Sequence, residues 1–147
     1  MTCKLCSVPK EEILFETDTS IIKIGSQLHE GHLQIVLKKH SENIHEISER
    51  EFLEFSKDLR NAAKAVKTAL KPDKMNYALY GNWVPHLHWH IYPRYKNKPD
   101  WGQPPYLKWK VNGKRVAPPK LDMTPCSLNE EEKTKLKLSL SSAFNHK

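Results

Sequence analysis

No apolar run in this chain approaches the roughly 18 residues that a membrane helix needs. The opening stretch, MTCKLCSVPKEE, has a lysine but no apolar segment of a secretory leader. These two absences lead us to expect a cytoplasmic protein with no membrane partner. Cysteine is scarce: there are three, Cys3 and Cys6 in C-K-L-C and Cys126 far away. An odd count in an unsecreted chain argues against a disulfide framework. The C-x-x-C pair is half a metal site, a redox pair or incidental. It does not open a helix after a strand, which weighs against thioredoxin-like chemistry. Repeats and low-complexity tracts are absent, and so is any Asp or Glu between residues 75 and 99.

What is present is a chain of 147 residues, 38% hydrophobic and 28% charged, long enough for one domain with a real core. The net charge of +7 is lopsided. Residues 1–93 hold twelve basic and twelve acidic side chains, and residues 94–147 hold twelve against five. A basic segment favours anionic partners such as nucleotides, or is simply a solvated lysine-rich surface.

Short β-prone runs at 13–16 and 20–24 flank Thr17-Asp18-Thr19, which suits a hairpin. A third strand is expected over 32–37, leaving His29 and His32 at the surface beside a turn. Ser48 and Glu51 form a capping box, after which Phe52, Phe55, Leu59, Ala62, Ala63, Val66 and Leu70 mark a helix face of about five turns ending at Pro72. Strands are expected over 75–80 and 84–92. Residues 93–125 hold seven of the ten prolines together with Trp101, Tyr106 and Trp109, and predict an ordered excursion. Ser127 and Glu130 suggest a second capping box, opening a helix over 128–144. The expected fold is α+β: a five-stranded antiparallel sheet with one long helix, residues 1–95 as its core, and a proline-rich basic extension over 96–147 within the same domain.

The densest chemistry lies in V-P-H-L-H-W-H-I-Y, residues 84–92. Side chains alternate along a strand, so His86, His88 and His90 would share one face and Leu87, Trp89 and Ile91 the other. Two uses fit three imidazoles in register. They could ligate one metal ion, with any carboxylate ligand coming from elsewhere in the chain. Alternatively, one could attack phosphorus as a neutral nucleophile, given a neighbour that fixes its tautomer and donors for the phosphate oxygens. Asn76, Gly81 and Asn82 lie just upstream, and backbone N–H groups near a glycine suit phosphate.

The stretch N-Y-A-L-Y-G-N-W-V-P-H-L-H-W-H-I-Y-P-R, residues 76–94, resembles the histidine triad superfamily of nucleotide hydrolases and transferases. It looks closest to a bacterial branch that is diadenosine tetraphosphate hydrolase-like, and the likeness runs over roughly residues 3–95. The resemblance implies a hydrolase or nucleotidyl transferase that cleaves at the α-phosphate of a nucleoside phosphate derivative, such as a dinucleoside polyphosphate. His88 would be the nucleophile of a covalent nucleotidyl-histidine intermediate, and His90 and His86 would support it. Asn76 matches a family asparagine near phosphate or ribose. Asn82 stands where many members have glutamine. Trp83 replaces a small hydroxyl residue near the leaving group, which motivates an alternative: a nucleotide-binding or sensing module with little turnover. Arg94 could meet a distal phosphate. Members are generally homodimers. Some carry structural zinc, and the matching positions here are Cys3, Cys6, His40 and His86, with His45 as a competitor for His40. No organic cofactor and no nucleic-acid partner are implied.

Overall fold

The computed structural model describes residues 3–26, 29–98, 101–102, 104–105, 109–111, 114–116 and 127–145. Tyr106, Cys126, His146 and much of the proline-rich 93–125 excursion lie outside them. Five strands, β1 (Ile13–Glu16), β2 (Ser20–Ile24), β3 (Leu33–Leu37), β4 (Lys74–Ala78) and β5 (His88–Arg94), form one antiparallel sheet in the order β1-β2-β3-β5-β4. Alternation divides its faces. Ile22, Leu33, Ile35, Leu37 and Ile91 are all 1% exposed or less and face a single helix layer.

That layer is led by α1 (Glu49–Leu70). Its capping box is the expected one: the Ser48 hydroxyl accepts from the Glu51 backbone N–H, and the Glu51 carboxylate accepts from the Ser48 backbone N–H. Phe55, Ala62, Ala65 and Val66 point inward, and the Phe55 ring lies 6.0 Å from that of Trp89. The helix stops at Lys71, which is left-handed (φ 50°, ψ 45°), and Pro72 prevents any continuation. A second tie is polar. Asp58, on α1, accepts from Thr17 Oγ1 at 2.7 Å in the β1–β2 turn, so helix and hairpin are fixed to one another.

The C-terminal helix α2 (Glu130–Asn145) is no appendage. Leu128, Leu136 and Leu140 are buried in the same core as α1, and Phe144 stacks on Phe15 of β1 at 4.9 Å. Its cap differs from the expected one. Asn129, not Ser127, exchanges hydrogen bonds with Glu132, both at 2.9 Å, because the two residues between put Glu132 at the reciprocal position. A two-stranded ladder, β6 (Trp109–Val111) with β7 (Lys114–Val116), lies within the excursion. Among the described residues, no helix is long and apolar enough to cross a membrane.

Candidate active site

β5 begins at His88, not at residue 84. The chain before it turns aside to pair differently: the Leu87 N–H donates to the Ser41 carbonyl and its own carbonyl accepts from Leu37 N–H. His86 therefore does not share the strand face of its two neighbours. Only His88 and His90 stand on the sheet face away from α1, with Tyr92 and Arg94 continuing the row.

Hydrogen bonds assign each imidazole its proton. His88 Nδ1 lies 2.7 Å from the His86 carbonyl, and only an N–H can donate there. Nδ1 thus carries the proton and Nε2 keeps its lone pair. Burial holds the His88 pKa below its ordinary value, against the raising effect of that bond. The ring is neutral at pH 7, as a nucleophile must be.

His90 is set by a relay that begins elsewhere. The Ser26 backbone N–H donates to His32 Nδ1 at 3.1 Å, so the His32 proton sits on Nε2. His32 Nε2 is 2.9 Å from His90 Nδ1, which must accept. The His90 proton is then on Nε2. Burial brings His32 to a pKa of about 3, with charge on His90 and His29 adding to it. It brings His90 to about 4, with His88 adding to it. The rings are locked by stacking: Tyr92 lies 4.4 Å from His32 and 5.4 Å from His90, and His88 meets His90 edge-on at 4.7 Å. The site thus holds one bare nitrogen beside one N–H, both neutral.

His32 was expected at the surface and is 3% exposed; His29, expected there too, is 5% exposed, with its ring edge against Tyr92 at 5.3 Å. Half of the signal was in the sequence, and strand pairing supplies the rest. Leu33, Ile35 and Leu37 face the helix, so His32, Gln34 and Val36 must face the other way, and antiparallel pairing sets that row beside His88 and His90. Gly25 belongs to the same device, since a Cβ there would overlap the His32 ring.

The expected substrate residues are spread more widely. Asn76, half-buried on β4, faces the same side, and its Oδ1 accepts from Arg94 Nη1 at 3.0 Å. Arg94 is 2% exposed, a buried brace rather than a surface cation. Gly81 takes φ +67° in the β4–β5 loop with open space around it. Asn82 and Trp83 follow it; both are exposed, Trp83 by 77%. Tyr80, in the same loop, brings its ring to 5.6 Å from His90.

His86 serves another cluster. Its Nε2 is 2.6 Å from the Leu37 carbonyl and carries the proton, which leaves Nδ1 bare. Cys3 Sγ lies 3.3 Å from that nitrogen, Cys6 Sγ 3.6 Å and His40 Nδ1 3.2 Å, while Cys6 Sγ is 3.4 Å from His40 Nδ1. A tetrahedral zinc with ordinary bond lengths would space its ligands by roughly 3.3 Å for N–N, 3.6 Å for N–S and 3.8 Å for S–S. The four donors match that outline, and the Leu37 carbonyl supplies the outer hydrogen bond that orients a ligating histidine. His45 is exposed on a 3-10 turn and takes no part. A metal held by His86, His88 and His90 together does not fit, because His86 turns Nδ1 to Cys3, Cys6 and His40 and Nε2 to the Leu37 carbonyl, leaving neither nitrogen for an ion shared with His88 and His90.

A family model for the HIT domain matches residues 8–97. A histidine triad protein from Bradyrhizobium japonicum is 22% identical, with a TM-score of 0.69 over 92% of this chain and 96% of its own. A zinc-bound histidine triad family protein from Mycobacterium smegmatis is 16% identical, with a TM-score of 0.67 over 99% and 98%. The diadenosine triphosphate hydrolase of Plasmodium falciparum, seen with cyclomarin A, is 15% identical, with a TM-score of 0.61 over 95% and 80%. At these identities the likeness concerns the fold. No curated protein sequence matches the chain.

Proposed function

Because the chain belongs to the HIT domain family, we propose that it is a nucleotide hydrolase or nucleotidyl transferase working through a covalent intermediate on His88. The observation that carries this reading is the 2.7 Å bond from His88 Nδ1 to the His86 carbonyl, which leaves Nε2 as the one bare nitrogen in a row of neutral imidazoles. In the first step Nε2 attacks the α-phosphorus, a P–N bond forms, and the P–O bond to the leaving group breaks. His90 Nε2–H donates to an oxygen of the phosphoryl group as charge gathers there. In the second step the oxygen of water or another acceptor bonds to phosphorus and gives up its proton to solvent, the P–N bond breaks to release the nucleotidyl product, and His88 recovers its lone pair. Asn76, held by Arg94, has its amide N–H groups to offer phosphate or ribose, and Gly81 and Asn82 border the same mouth. Dinucleoside polyphosphates of the diadenosine tetraphosphate kind are substrates that such a nucleophile accepts.

Cys3, Cys6, His40 and His86 would hold a structural zinc ion, which ties the N-terminus to the loop that ends at the nucleophile. The zinc-bound relative supports this reading, as does the ligand spacing above. We place the protein in the cytoplasm as a homodimer. Support for the dimer comes from β4, an edge strand with Tyr77 48% exposed, beside a groove of about 470 Å³ between α1 and β4.

The test is His88→Ala. Turnover of a dinucleoside polyphosphate should fall to background, while nucleotide affinity stays within about threefold and zinc content is unchanged. Full turnover in that variant would rule out the covalent route.

A further inference from the structure

The sheet face that carries His88 and His90 also carries a charged group the chemistry above does not use. Cross-strand register sets Lys23 on β2 beside Gln34 on β3, and Gln34 beside His90 on β5. Neighbouring strands lie about 4.8 Å apart, so Gln34 is one strand from His90 and Lys23 two, or roughly 10 Å. Lys23 is held tightly for a lysine. Its side chain is 12% exposed, its Nζ lies 2.8 Å from Glu12 Oε2, and it donates to Gln34 Oε1 at 3.4 Å. β2 is an inner strand of the sheet, so Lys23 stands within this face and not at its outer edge.

The chemistry of this trio narrows what it can bind. Glu12 offsets the ammonium, so the cluster has no net charge to offer a phosphate. What it presents is polarity: Lys23 is a pure donor, Glu12 a pure acceptor, and the Gln34 amide has N–H groups left once its oxygen accepts from Lys23. A neutral edge with donors and acceptors side by side satisfies such a set better than an anion does. In a nucleotide whose α-phosphorus sits at His88, the group that reaches one or two strands away past the sugar is the base.

We propose that Lys23, Glu12 and Gln34 read the polar edge of the nucleobase and set which base the enzyme prefers. This rests on the nucleotidyl-histidine reading and adds its specificity. A base lacking the matching pattern would cover the spare Gln34 amide N–H groups without pairing them, which is the costly case.

The experiment uses the full chain and the 5′-phosphoramidates of adenosine, guanosine, cytidine and uridine, which share one phosphorus and one leaving group. Steady-state kcat/KM is measured for wild type, Lys23→Met, Gln34→Leu and Lys23→Arg, with Tm recorded for each. Wild type should spread the four bases by tenfold or more. Lys23→Met and Gln34→Leu should each compress that spread to about threefold, chiefly by slowing the preferred base. Lys23→Arg, which keeps the charge but changes the donor geometry, should change the ranking rather than restore it. An equal loss for all four bases in Lys23→Met would overturn the proposal and assign the ammonium to phosphate. An unchanged spread at unchanged Tm would overturn it as well. If wild type turns over none of the four and leaves no nucleotide on His88, the functional reading itself fails, which is a different result from an intact intermediate without base preference.

Discussion

At the scale of single residues, the site depends on which nitrogen bears each proton, and those assignments come from neighbours that do no chemistry. His32 is the clearest case. Replacing it with Asn removes the donor to His90 Nδ1, so His90 can adopt either tautomer. We expect kcat to fall about 10–100-fold with little change in nucleotide affinity, measured by steady-state kinetics and equilibrium binding. Gly25→Ala should act in the same direction by displacing the His32 ring. The same burial makes stability depend on pH. His32 and His90 titrate near 6.5 when unfolded but at about 3 and about 4 when folded. Below pH 6.5 the unfolded chain takes up protons that the folded chain refuses. Their contribution to stability is therefore full above pH 6.5, falls as pH drops toward 4, and levels off near 3. Each group contributes up to about 1.4 kcal/mol per pH unit in that window. Glu46, which accepts from Asn43, Ser41 and the Glu42 backbone, and Glu51, which accepts from Ser48 and Lys39, are held at about 2 and lose their contribution lower, between about 4.5 and 2. Denaturant titrations at pH 7.5, 5.5 and 4.5 measure this. A flat profile from 7.5 to 4.5, or one that His32→Asn leaves just as steep, would contradict it.

At the scale of elements, the parts governed by local rules were legible in the sequence. The capping box at Ser48 and the spacing of apolar residues from Phe52 to Leu70 mark α1 without ambiguity, because both signals lie within one element. The triad strand was legible too, but its start was not. Residues 84–87 have strand-like composition, yet Leu87 pairs with Ser41 and Leu37, partners more than forty positions away. That distant pairing frees His86 from the strand face and delivers it to Cys3, Cys6 and His40. Periodicity within 84–92 cannot show it; the C-x-x-C pair and the matched histidines could. His32 fails differently. The alternation of β3 placed it on the active face, but only once β3 was known to neighbour β5. Two predictions belong to this scale. A Cys3→Ser, Cys6→Ser double variant should lose bound zinc by elemental analysis and unfold at a markedly lower temperature, while His88→Ala keeps both. Asp58→Ala removes the acceptor that joins α1 to the β1–β2 turn and should destabilise the fold by about 1–3 kcal/mol without changing the metal content, as measured by chemical denaturation.

At the scale of the whole molecule, the two faces of one sheet divide the work. The helix side supplies rigidity, through a single core in which α1 and α2 both take part. The open side carries the packed rings of His32, His88, His90 and Tyr92, where the proposed chemistry would take place. The edge strand β4 is where a second copy would pair. Replacing Tyr77, half exposed there, with Glu should shift sedimentation from dimer to monomer; an unchanged dimer would move the interface elsewhere. The claim on which all of this turns is that His88 becomes covalently bonded to the substrate. Acid-quenched mixtures of the protein with candidate nucleotides, analysed by intact-mass and peptide spectrometry, test it most directly. The account predicts a mass increase of one nucleotidyl group on the peptide bearing His88, present in wild type and absent from His88→Ala. A wild-type enzyme that turns nucleotide over while no adduct forms on that peptide at any quench time would contradict it.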